Sequence, residues 1–233
     1  MIPISDAPRR RRFPFVTVTL IIVNVLVFLY EVSLGNRLEG FVQSFGVVPV
    51  EIVSGRDLYP PAPLGNVYLT LFTAMFLHGG LLHLASNMLF LWIFGDNVED
   101  TFGHIGYLIF YVVCGMLASI AQVLVDIYST VPSIGASGAI AGILGAYVVL
   151  FPTAEVRTLL ILGPFITLSR IPALVLIGFW FIIQLVSGIG QLGIQSETGG
   201  VAFWAHIGGF IAGVALTLVF RPHPAPVRGR HGW

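Results

Sequence analysis

Apolar residues run along this chain in long blocks, and the charged residues collect at the block ends. Blocks at about 13–30, 81–94, 105–125, 137–151, 172–187 and 201–220 predict six spanning helices. The stretch 34–65 is a long mixed connection carrying Arg37, Glu39, Glu51, Arg56 and Asp57, with a Pro60-Pro61-Ala62-Pro63 break. Such a stretch belongs outside hydrocarbon, as a loop with short amphipathic pieces, and 67–77 leads from it into the second span. The polar run Gly95-Asp96-Asn97-Val98-Glu99-Asp100 predicts a turn, and 157–170, broken by Gly163-Pro164, predicts an interfacial excursion. The fourth block is shorter than the ~20 residues that cross a bilayer. Its start is therefore expected below the membrane surface, beside a cavity that water can reach. The fold class is an all-α membrane protein with six transmembrane helices and a long loop after the first. Its parts are a tail at 1–12, a membrane domain at 13–220 and a tail at 221–233.

Composition agrees with lipid as the main solvent: 56% of residues are hydrophobic and 9% charged, in a chain of 233, with mean hydropathy +0.93. The net charge of zero hides an asymmetry. With six spans, Arg9, Arg10, Arg11, Arg12, Arg157, Arg170, Arg221, Arg228 and Arg230 fall on one side, and Arg37 and Arg56 on the other. Arginine-rich loops stay in the cytosol. Both termini are thus expected there, in a cell (inner) membrane, with spans four and six starting at the extracytoplasmic face. The first block is long for a secretory signal and lacks a small-x-small cleavage site. The single cysteine, Cys114, excludes an internal disulfide and a cysteine-based metal site.

The candidate chemistry lies in polar groups inside these blocks. Ser137 sits in Gly135-Ala136-Ser137-Gly138 at the start of span four, where helix N–H groups lack internal partners and suit a developing oxyanion. Taken alone, Ser137 also reads as a small packing residue or a helix cap. His206 lies within span six, where an ionisable group points to function. His206, Gly209 and Gly213 share one helical face. Ser137, Gly138, Ala141 and Gly142 offer a second small-residue face, so the two helices can approach closely enough for His206 to take the serine proton. Loop residues Asp126 and Glu197 leave the spans without an obvious interior acid, which points to a Ser–His dyad. His83 and Asn87, four apart on span two, could donate to an oxyanion or glue helices together by hydrogen bonds. His78 and His83 are five apart, off a shared face, and no His-Glu-x-x-His occurs, so no metal site is expected. His104, His223 and His231 read as solvated. A transporter reading finds no inverted repeat in support.

These motifs resemble the rhomboid family of intramembrane serine proteases: His83-x-x-x-Asn87, Gly135-x-Ser137-Gly138 and Ala205-His206-x-x-Gly209, in order and on matching spans. The Phe94-Gly95, Val98-Glu99 and Phe102-Gly103 pairs also look family-like. The resemblance implies Ser137 as nucleophile and His206 as general base and acid. It implies an oxyanion hole of His83, Asn87 and the Ser137 amide, with Gly135 and Gly138 shaping the serine turn and Gly142, Gly209 and Gly213 packing helices. It also implies single-span membrane-protein substrates cut near the extracytoplasmic face, with no cofactor, metal or nucleic acid. The loop at 191–199 and the fifth span are the expected gate. Some relatives carry a tyrosine one turn after the serine that stacks on the histidine; Ala141 stands there. Others carry a Trp-Arg pair in the first loop, where this chain has Val67-Tyr68. The alternative is an inactive rhomboid-like protein that binds membrane clients in quality control.

Overall fold

The computed structural model describes residues 1–8, 11–58, 60–163, 165–192 and 200–220. Arg9, Arg10, most of the expected gate loop and the tail 221–233 lie outside the described residues. The element order is β1 (Ile2–Asp6), α1 (Phe15–Ser33), α2 (Leu38–Phe45), α3 (Pro49–Ser54), α4 (Thr70–Thr73), α5 (Leu81–Phe102), α6 (His104–Val125), α7 (Ser137–Leu150), β2 (Glu155–Leu162), β3 (Phe165–Pro172), α8 (Ala173–Gln191) and α9 (Phe203–Phe220). Among the described residues, α1, α6, α8 and α9 are long and apolar enough to cross a membrane. The short turns of 67–76 and α5 together pass the same test as one span bent by 81°. At ~1.5 Å per residue the 14-residue α7 is about 21 Å long, short of a ~30 Å hydrocarbon layer.

That short helix is the core. Every residue from Gly138 to Tyr147 is buried, with α5, α6, α8 and α9 around it. Outer helices turn apolar residues outward instead, including Leu26 and Leu29 on α1 and Ile182 and Val186 on α8. This is the inversion that a lipid solvent allows.

Glycine sets the seam between α7 and α9, which run parallel. A methyl group added at Gly209 would fall on the Gly138 carbonyl oxygen, and one at Gly213 on the Gly142 carbonyl oxygen. One at Gly145 would fall on the Phe210 carbonyl oxygen. Only hydrogen side chains permit this approach, the small-residue packing that replaces water expulsion in membranes.

Two segments differ from their sequence expectation. The predicted turn at 95–100 is helical, and α5 ends at Gly103, whose φ of +74° breaks the helix. Its polar residues read as loop because their partners lie far away in sequence. Buried Glu99 caps α1 from across the bundle: its carboxylate accepts the backbone N–H groups of Val16 (2.9 Å) and Thr17 (2.8 Å) and the Thr17 hydroxyl (2.7 Å). A carboxylate at a helix start satisfies orphan donors and complements the helix dipole. His104, expected in water, closes on Glu99 Oε1 at 2.6 Å. Glu31, 2% exposed within α1, accepts the His78 N–H. The bundle therefore does contain interior carboxylates, although neither pairs with His206.

The second such segment is the 157–170 excursion, which is an antiparallel hairpin of β2 and β3 extended by β1. Val156 and Thr158 turn inward and are fully buried, and Gly163 (φ +60°) begins the reversal. The apolar residues on both faces mask a period-two alternation, so the segment read as membrane-seeking rather than as strand. The tail before Phe13 is correspondingly built in: Asp6 accepts the Tyr147 hydroxyl (2.6 Å) and the Asn97 amide (2.7 Å).

Two outcomes are expected. Gly213→Val should lower folding stability by ~2–4 kcal/mol through overpacking against a backbone that cannot yield. Gly178→Ala, where an added methyl meets nothing within 4 Å, should leave the thermal midpoint in detergent unchanged or raised; equal losses in both would refute the glycine seam. Burial pushes the Asp6 carboxyl up to about 7. Its contribution is then fully present below the unfolded carboxylate pKa of about 3.9 and is lost as pH rises through 7. The thermal midpoint should drop between about pH 4 and pH 7 and level off above, and Asp6→Asn, which keeps both hydrogen bonds, should flatten that drop. Parallel declines in both proteins would contradict it.

Candidate active site

The chain reaches Ser137 through a strained and anchored turn. Gly135 has φ +126°, a region that side chains avoid, and its N–H donates to the Ala74 carbonyl at 2.8 Å. Just before it, Ser133 and Val47 exchange two backbone hydrogen bonds of 3.0 and 2.8 Å, which pins the turn to the long first loop. A methyl at Gly135 would lie 2.9 Å from His83 Nε2 and 3.6 Å from Ser137 Oγ. The His83 ring therefore occupies the space that glycine leaves open, beside the serine hydroxyl.

Ser137 is the first residue of α7 and half-buried. It borders a cavity of about 20 Å³ with Gly135, Gly138, Ser119 and Ala205 on its walls, room for about one water. The glycine seam brings α9 alongside: Gly138 faces Ala205, and Gly209 faces Gly138. His206, one turn before Gly209, is thus held at the level of the start of α7. Ser137 and His206 are brought to one depth on adjacent helices, with no hydrogen bond between them in this structure.

The α9 start is tied on two sides. The Ala205 N–H donates to Gln122 Oε1 of α6 (3.2 Å), and the Trp204 indole N–H to the Gly188 carbonyl of α8 (3.2 Å). His206 Nδ1 lies 2.8 Å from Gln184 Oε1 of α8. The Trp180 ring lies tilted by 34° at 5.8 Å, and the Phe203 edge at 6.4 Å. Fully buried Ala141 contributes no ring; the aromatic face comes from α8.

His83 and Asn87 stand on one side of α5, and the structure adds His78 to them. Its ring meets His83 edge to face at 5.1 Å, and its Nε2 lies 3.0 Å from Asn87 Nδ2. An amide nitrogen carries two hydrogens, so this contact orients Asn87 and leaves one donor over. Among the described residues no three of His, Cys, Asp and Glu gather as metal ligands. Sequence reasoning passed over Gln184, Gln122 and the partnership of His78 with Asn87. The available signal was the presence of polar side chains in apolar blocks, which lipid penalises unless they are paired.

The sequence has known relatives. Residues 65–223, more than half of the chain, match the profile of the Rhomboid domain. The chain is 30% identical over 206 residues to Rhomboid protease GluP of Bacillus subtilis (strain 168), covering 88% of this chain and 35% of that protein. It is 33% identical over 169 residues to RHOMBOID-like protein 6, mitochondrial, of Arabidopsis thaliana (72% and 47%). Rhomboid protease AarA of Providencia stuartii is 25% identical over 225 residues (91% and 74%). The chain spans only about a third to a half of the first two. With its apolar helices and this match, the chain is a multi-pass membrane protein of the rhomboid family.

Proposed function

We propose that this chain is a serine-type intramembrane endopeptidase working through a Ser137–His206 dyad on single-span membrane proteins. The observation that carries the reading is the shared depth of Ser137 and His206, set by the glycine seam at the buried end of a short helix. Two relatives named as rhomboid proteases support the protease part of this reading.

In this mechanism His206 Nε2 takes the hydroxyl proton as Ser137 Oγ attacks the scissile carbonyl. The oxyanion forms beside the Ser137 N–H at the helix start, His83 and the spare Asn87 amide hydrogen, three donors in a site shielded from bulk water. His206 then gives its proton to the leaving amine, which departs with one peptide fragment. A water takes that place, loses a proton to His206 and attacks the acyl ester; collapse returns the proton to Ser137 Oγ. Gly135 and Gly138 shape the serine turn, and Gly142, Gly209 and Gly213 fix the distance between helices. Counting α7 as a sixth span puts both termini in the cytosol and opens the site toward the extracytoplasmic side of the cell membrane. A peptide bond within a helix is shielded by its own hydrogen bonds, so substrates that unwind easily near that face are preferred. The missing Ser137–His206 hydrogen bond favours a second reading, client binding without cleavage; catalytic contacts often tighten only with substrate bound.

Ser137→Ala should abolish both cleavage of a model single-span substrate in proteoliposomes and labelling by a fluorophosphonate, with the thermal midpoint kept. Continued cutting by the alanine variant rules out the dyad, and an inert wild type supports the client-binding reading. Asn87→Ala should slow kcat by roughly ten- to a thousandfold, the loss of one oxyanion donor. An unchanged kcat would leave Asn87 only the task of holding His78.

A further inference from the structure

Gln184 stands on the inward face of α8, in line with Ala173, Leu176, Ile177 and Gly188, and it is 6% exposed. A primary amide buried in an apolar helix is unfavourable unless its groups are met. Here they are met in a way that assigns them. Gln184 Nε2 lies 3.3 Å from the Trp180 carbonyl, one turn back along α8. A carbonyl oxygen only accepts, so the amide nitrogen belongs at that end and the amide oxygen faces His206 Nδ1 at 2.8 Å. An amide oxygen also only accepts. Nδ1 must then carry the neutral ring's proton, which leaves the lone pair on Nε2.

We propose that Gln184 is the positioning residue of the base: it holds His206 as the tautomer whose Nε2 is free to take the Ser137 proton. This rests on the dyad reading above. The amide performs the orienting task that a carboxylate performs in a serine triad, without an added charge among apolar helices. It exchanges no proton: Nδ1 keeps its hydrogen throughout, while Nε2 passes the Ser137 proton to the leaving amine and later returns one taken from water to Ser137. Trp180, the residue whose carbonyl fixes the amide, also lays its ring near the imidazole from the same helix. The two contacts set ring plane and tautomer together. Among the described residues, His83 on α5 is the titratable group electrostatically close to His206.

The test uses the full chain in proteoliposomes with a fluorogenic single-span substrate. Gln184→Met keeps side-chain length and removes the acceptor. It should lower kcat roughly ten- to a hundredfold with KM changed less than about threefold, since substrate contacts are untouched. Gln184→Glu restores an acceptor for Nδ1–H and should recover much of that loss. Its acid limb should also move up by about one pH unit, because a carboxylate favours the imidazolium; a merely structural contact would not move it. Nitrogen-15 spectra of histidine-labelled protein should show neutral His206 protonated at Nδ1 in wild type and mixed tautomers in Gln184→Met. Wild-type kcat in the Met variant, an unmoved acid limb in the Glu variant, or an Nε2-protonated wild-type ring each overturns the proposal. If the Met variant fails to fold, the Glu profile and the wild-type spectrum still decide. Cutting by Ser137→Ala would instead sink the dyad, and the spectrum then judges the Gln184 contact by itself.

Discussion

Backbone meets backbone where α9 lays Gly209 and Gly213 against the carbonyls of Gly138 and Gly142. Lipid gives apolar side chains no reason to leave it, so helices associate only where their surfaces fit. A seam of hydrogen side chains gives the largest contact available. It also fixes register, because a slide of one residue would drive a side chain into a carbonyl. The relative height of Ser137 and His206 follows from that register and from no contact between the two residues themselves.

Around the seam, polar groups act as long-range fasteners. Glu99 of α5 caps α1, Glu31 of α1 holds the backbone at His78, and Gln122 and Gln184 grip the start of α9 and its histidine. Each is an acceptor at least half-buried that meets a donor from a different segment of the chain, the arrangement under which a polar side chain is tolerated in such surroundings.

Much of this was legible in the chain. Block lengths mark the spanning segments to within a few residues, except α5, whose polar second half reads as a turn because its Asn97 and Glu99 face inward to partners distant in sequence. The fourth block read as short, and the structure makes it the buried centre. The hairpin escaped because Val156 and Thr158, its inward pair, sit among Leu159, Leu160 and Ile161, which hide the alternation. At the candidate site, Ser137 and His206 stand out as polar residues among glycines, and His83 and Asn87 as a polar pair four apart in an apolar block. Gln184 does not, because its meaning lies in an oxygen aimed at a ring nitrogen twenty-two positions later. Pairing of that kind is tertiary and leaves no local mark.

The hydrogen bond from Tyr147 to Asp6 has a mechanical corollary. It clamps the far end of α7 to a three-stranded sheet, while the glycine seam clamps its near end. The helix that carries Ser137 is thereby a fixed strut. Under the protease proposal, admitting a bulky polypeptide would fall to the lipid-facing staves around this strut and not to the strut itself.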